Sequence, residues 1–188
     1  MKRTLSLALA ALITLVAVAG LTPANPAQAA KAKQAAAKNT EPAPAKITGA
    51  KVLEFGVYTS TVISREKSPT IADGIKDRAR DFKLVRKSTL VDARLGTGIG
   101  MTYVLLGTPK GGNVSIEVAV SHPAMVNPET KQSMTRSSAV FERVLGQPEH
   151  AVWSFDTPEG LVPGEYVIEL VSEGRVLAQK TFRVKVRK

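Results

Sequence analysis

Apolar residues recur at every second position through most of the chain beyond Lys51. Leu53, Phe55, Val57 and Thr59 alternate with Glu54, Gly56, Tyr58 and Ser60, and the rhythm is plainest where Val114, Ile116, Val118 and Val120 alternate with Ser115, Glu117, Ala119 and Ser121. A period of two sends successive side chains to opposite faces, so each run predicts a strand with one face toward a core. Further rows are Ile99, Met101, Tyr103 and Leu105; Trp153 with Phe155; Tyr166, Ile168 and Leu170; and Phe182, Val184 and Val186. Weaker rows run through 82–93, where Arg86, Lys87 and Ser88 break the alternation, and through 138–145. Turn residues separate them: Pro109-Lys110-Gly111-Gly112, Pro123, Pro128, Pro148, Pro158-Glu159-Gly160, Pro163-Gly164 and Glu173-Gly174. The last pair, between alternating apolar residues, predicts a two-residue hairpin loop of the primed type. No window keeps a 3.6-residue period for the length of a stable helix. About eight short strands punctuated this way predict an all-β chain folded as an antiparallel sandwich. The stretch from Arg65 to Asp81 reads as the longest strandless segment, and its charges place it on the surface.

Ahead of this body the pattern differs. Lys2 and Arg3 precede an apolar run from Leu5 to Leu21, and Ala27-Gln28-Ala29 offers small residues before a cut, so residues 1–29 read as a signal peptide cleaved after Ala29. Residues 30–48, rich in Ala and Lys and ending near Pro42 and Pro44, bury nothing and read as a basic linker. Residues 49–188 then form the sandwich domain, 140 residues, enough to bury roughly two-thirds of their unfolded surface without a staple. No later run is long and apolar enough to span a bilayer once the leader is removed. Asn113-Val114-Ser115 spells a glycosylation sequon that carries no meaning in a bacterial setting.

The chain has no cysteine, which excludes a disulfide framework, a thiol nucleophile, an iron–sulfur cluster and a Cys-rich zinc site. A cysteine-free exported protein fits a bacterial periplasm. The formal charge is +10, and +8 without Lys2 and Arg3. Arg183, Lys185 and Arg187 fall on the outward face of the last row, and Lys76, Arg78, Arg80, Lys83, Arg86 and Lys87 cluster against only Asp77 and Asp81. In a periplasm such charge meets lipopolysaccharide, anionic lipid or wall polymers, and not nucleic acid. A basic row on a terminal strand is equally a device that keeps a sheet edge from pairing with another chain, and both readings stay open.

Several pieces in order carry a family likeness: Phe55-Gly56-Val57-Tyr58; Ala93-Arg94-Leu95-Gly96 with Gly100 and Tyr103; His122-Pro123 with Met125 and Asn127-Pro128-Glu129-Thr130; and Trp153 with Leu161-Val162-Pro163-Gly164-Glu165-Tyr166 and Phe182. From 53 to 186 the chain resembles the domain-of-unknown-function family 3859. The resemblance implies an exported bacterial domain of immunoglobulin-like fold with no assigned activity, so it supplies no catalytic residues. Read physically, Gly96, Gly98 and Gly100 suit a strand entry with a close neighbour. Tyr166 is placed to close a corner through its hydroxyl. Trp153, alternating with Phe155, reads as a core anchor rather than a ligand platform.

Catalytic chemistry finds little support. There are two histidines, His122 and His150, and no G-x-S-x-G accompanies either. Ser64-Arg65-Glu66-Lys67 spells S-x-x-K but ends a strand and has no K-T-G partner. Gly96-Thr97-Gly98-Ile99-Gly100 lacks the dinucleotide spacing and precedes a strand. The expectation is therefore a non-enzymatic envelope binding module without cofactor, whose partner is an envelope protein or an anionic envelope component. The alternative is a copper carrier: His122, Met125 and Met134 fall in one loop region, and imidazole with thioethers is a soft set that suits Cu(I), as in small periplasmic carriers of similar sandwich fold. The chain lacks their N-terminal histidine and any dense methionine cluster, and Met125 also suits a plug at the end of the core.

Overall fold

The computed structural model describes residues 44–186. The leader, the linker up to residue 43, and Arg187 lie outside the described residues. Nine strands follow in chain order: β1 (Lys46–Lys67), β2 (Ile75–Arg86), β3 (Leu90–Ala93), β4 (Thr97–Thr108), β5 (Asn113–Val126), β6 (Ser133–Val144), β7 (Pro148–Phe155), β8 (Gly164–Ser172) and β9 (Arg175–Val186). They form a four-stranded sheet ordered β2-β1-β4-β7 and a five-stranded sheet ordered β3-β9-β8-β5-β6. All pairings are antiparallel except β3 on β9. Most positions predicted to face inward do so, with Ile99, Met101, Tyr103, Leu105, Phe155, Tyr166, Ile168, Leu170 and Phe182 fully buried, but Leu53 of the first row is exposed. Each buried side chain contributes roughly 1.5–3 kcal/mol by leaving water.

The hairpin expectation is met. Ser172 pairs with Arg175, and the two loop residues, Glu173 and Gly174, have φ of 51° and 72°, as a primed turn requires. Tyr166 closes its corner by donating a 2.8 Å hydrogen bond to the Val162 carbonyl.

Four expectations change. The segment from Arg65 to Asp81 is not strandless. β1 runs on to Lys67 and turns back as β2 at Ile75, a long hairpin whose alternation is hidden because both faces of its outer half are charged. The break at Lys87 to Thr89 is a crossover, since β2 belongs to one sheet and β3 to the other. β1 begins at Lys46, inside the segment assigned to the linker, because Ile47 is buried in the core among residues whose composition conceals it. Finally, Leu90–Ala93 pair with Arg183–Val186, so the basic row of β9 does not lie on a sheet edge. Edge protection at Arg183 and Lys185 is thereby excluded.

Bulges shape the first sheet. Tyr58 pairs with Leu84 and Val57 with Arg86, so Val85 is the extra residue on β2. Val52 pairs with Tyr103 and Glu54 with Thr102, so Leu53 is the extra residue on β1. Both are pushed toward solvent, as unpaired bulge residues are.

Candidate functional site

The outer face of the four-stranded sheet is built on glycine. Gly98 and Gly100 on β4 lie opposite Ser154 and Val152 of β7, and a Cβ on Gly100 would overlap the Ala151 carbonyl oxygen and sit 2.7 Å from Val152 Cγ2. Tyr58, paired with Gly98, sits on the face opposite the core row and is still only 1% exposed. Its hydroxyl meets Thr102 Oγ1 at 2.9 Å, and its ring meets His150 edge-on at 6.1 Å. Phe82, from the far edge strand, stacks on His150 with centroids 4.7 Å apart and planes 15° apart. An aromatic layer thus lies outside the core, and the glycines beside it serve the close approach of β7.

His122 lies on the inner side, against Trp153 at 5.2 Å and Tyr166 at 6.3 Å. Both ring nitrogens are engaged: Nδ1 is 2.8 Å from the Pro123 carbonyl and Nε2 is 2.9 Å from Ser137 Oγ. A carbonyl only accepts, so Nδ1 carries the proton and the Ser137 hydroxyl donates to Nε2. Ser137 Oγ in turn accepts from the Ala72 amide at 2.8 Å. The result is a serine–histidine pair with the hydrogen-bond order of a hydrolase but 1% and 6% exposure, buried beneath the 68–74 loop. Its work is to tie that loop to β5 and β6. Ser137 was not singled out by sequence, because nothing in its spacing announces a partner 15 residues away.

Asn127 is the second tie. Fully buried, it donates to the Ser68 and Ile71 carbonyls at 3.3 and 2.7 Å and accepts from the Glu129 and Thr130 amides at 2.8 and 2.9 Å. The Asn127-Pro128-Glu129-Thr130 motif is therefore a knot between two loops. Burial holds the His122 imidazole below its ordinary value against the opposing pull of the Pro123 carbonyl. The native ring binds its proton less tightly than the unfolded one, so this stability is complete above about pH 6.5 and is lost as pH falls below it. The stability difference between the native protein and His122→Gln should therefore shrink as pH falls from 7 to 5 in thermal melts, a comparison that cancels His150, which burial also lowers, and Asp73 and Asp77, whose raised carboxyls act in the opposite sense. A difference that stays constant would place the titration elsewhere.

Beside these loops lies a cleft of about 360 Å³ lined by Arg65, Glu66, Lys67, Asp73, Glu129 and Glu159 among others. Arg65 sits between two carboxylates, Nε 3.2 Å from Asp77 and a terminal nitrogen 3.8 Å from Asp156. Burial and the neighbouring Asp156 carboxyl push Asp77 up to about 6, against Arg65. Burial likewise raises Asp73. The cleft is mainly acidic, so the basic excess lies elsewhere.

The copper candidates are only partly assembled. Met125 and Met134 are cross-strand partners, one buried and the other packed against the core. His122 is committed to Pro123 and Ser137, and a metal at Nε2 would have to displace the serine hydroxyl. No group of three or more His, Cys, Asp or Glu placed to hold a metal occurs among the described residues. Trp153, 6% exposed, packs between His122 and Tyr166, the anchor its alternation predicts. Of the polyanion candidates, Arg183 and Lys185 are exposed, but the register sets Glu165 and Leu90 beside Arg183 and Asp92 beside Lys185. The run from Phe82 to Val91 instead holds Lys83, Arg86 and Lys87, all exposed, and no acid.

No curated protein matches the chain. Among solved structures it is similar to an immunoglobulin-like protein from Pseudomonas aeruginosa, with 25% identity and a TM-score of 0.53 over 77% of this chain and 99% of that one. An alkylpurine DNA glycosylase of Pseudomonas fluorescens, bound to DNA containing an abasic site analogue, aligns at 14% identity and a TM-score of 0.30 over 70% of this chain and 30% of that one. Likeness at that level carries no argument. The domain of unknown function DUF3859 matches residues 46–184, and the chain belongs to that family as an immunoglobulin-like β-sandwich.

Proposed function

We propose that this protein is a non-catalytic binding module of the bacterial cell envelope, exported by its first 29 residues and holding an anionic envelope component through basic segments of its surface. The observation that carries the reading is the division of chemistry between inside and outside. The imidazole and hydroxyl that could react are spent on holding loops, while Lys83, Arg86, Lys87, Arg183 and Lys185 face solvent. Exposed cations of this kind attract polyanions over a screening length of about 10 Å at 0.1 M salt and about 3 Å at 1 M. The copper reading keeps the Met125–Met134 pair in its favour but requires His122 to abandon a buried hydrogen bond.

The test uses heparin as the polyanion probe. Protein recovered from the periplasm should begin at Ala30, be retained on immobilised heparin at low salt and elute as salt rises. Replacing Arg86, Lys87, Arg183 and Lys185 together by Gln should abolish retention and leave the melting temperature nearly unchanged, because exposed side chains add little to stability and Gln, unlike Glu, sets no like charge beside Glu165 and Asp92. A native protein that flows through at low salt overturns the proposal.

A further inference from the structure

The corner where β2 crosses to β3 is apolar as well as basic. Val85 and Leu90 are the most exposed large apolar side chains among the described residues, at 63% and 61%. Val85 is out because the β2 bulge extrudes it, and Leu90 because it sits on the outward face of a short edge strand beside Arg183. The crossover is well ordered: Arg86 reaches the Leu90 carbonyl at 3.5 Å, Ser88 Oγ donates to the same oxygen at 2.7 Å, and the Arg183 amide donates to Thr89 at 2.8 Å. Lys87 and Lys180 lie over the half-buried Phe55 ring, at 5.6 and 3.6 Å from its centroid. Leu53, extruded by the β1 bulge, is 43% exposed two residues away along the strand.

A bulge leaves one residue unpaired, and for folding alone a polar residue would serve best there. Two bulges carrying Leu and Val, with a third apolar side chain on the adjoining edge and cations between them, match an anionic lipid surface. Phosphates would meet Lys83, Arg86, Lys87 and Arg183, while Val85 and Leu90 enter the boundary between headgroups and acyl chains. A soluble polyanion would use the cations and leave the apolar pair in water. We infer that the β2–β3 crossover is a docking corner for an anionic bilayer surface, an inference that rests on the envelope-binding reading and names the anionic component as lipid.

The experiment compares the periplasmic protein with its Val85→Ser/Leu90→Ser variant on three probes: phosphatidylglycerol vesicles, phosphatidylcholine vesicles and soluble heparin. Native protein should co-sediment with phosphatidylglycerol in a salt-sensitive way and ignore phosphatidylcholine. The variant should lose about tenfold in partition to phosphatidylglycerol, the loss expected when part of two aliphatic side chains no longer leaves water. Its heparin affinity and melting temperature should not move. If native protein binds heparin but no vesicle, the lipid inference falls and the polyanion reading stands; if it binds neither, both fall. If the variant binds phosphatidylglycerol as tightly as native protein, the contact is purely electrostatic and the inference is overturned.

Discussion

Trp153→Ala should cost about 3–5 kcal/mol, a loss on the order of 10 °C in melting temperature for a domain of this size. The indole fills the space between His122 and Tyr166, with centroids at 5.2 and 6.1 Å, and Tyr166 is in turn packed edge-on against Phe155 at 5.8 Å. Removing it opens a cavity beneath the β7 edge of the four-stranded sheet, and the neighbours cannot close it. His122 is fixed by two hydrogen bonds and Tyr166 by its bond to Val162. The cavity term therefore adds in full to the lost transfer energy. Thermal unfolding followed by far-ultraviolet circular dichroism measures it. A variant melting at the native temperature would mean that the indole packs against nothing the fold needs.

The second large effect is expected on the other face of the same sheet. Tyr58→Ala should cost about 3 kcal/mol, comparable with a core aromatic, even though Tyr58 lies outside the principal core. His150, stacked with Phe82, would then lose the ring it meets edge-on, and Gly98, the residue paired with Tyr58, has no side chain to fill the space. Tyr58→Phe keeps the ring and loses only the 2.9 Å contact with Thr102, so about 1 kcal/mol is expected. Denaturant melts of the two variants separate packing from hydrogen bonding. If alanine costs no more than phenylalanine, the aromatic layer is surface decoration.

Tyr58 also marks the boundary of what a pattern can reveal. Alternation assigns it correctly to the face opposite Phe55 and Val57, yet that face is not solvent at this point. Its ring meets His150 on β7, which stacks with Phe82 on β2 at the opposite edge of the sheet, and strand order is not written in a period of two. His122 and Asn127 show the same limit. Their positions beside prolines were readable, but their partners, Ser137 and the Ser68 and Ile71 carbonyls, are brought near only by strand pairing and loop closure.

What the chain's residues determined unaided was local: most of the inward rows, a primed turn at Glu173-Gly174 and a tyrosine corner. Each follows from side-chain direction or a backbone preference acting over a few residues. Tertiary structure decided everything that depends on neighbours distant in sequence. It paired β9 with β3, which removed the basic row from a sheet edge and set Glu165 and Asp92 beside it. It extended the β1–β2 hairpin through a charged segment, because pairing of backbone groups can hold a strand together where neither face has a hydrophobic signature. It also placed Val85 and Leu90 in solvent among cations, since a bulge and an edge, unlike a hydrophobic row, exist only once strands have chosen partners.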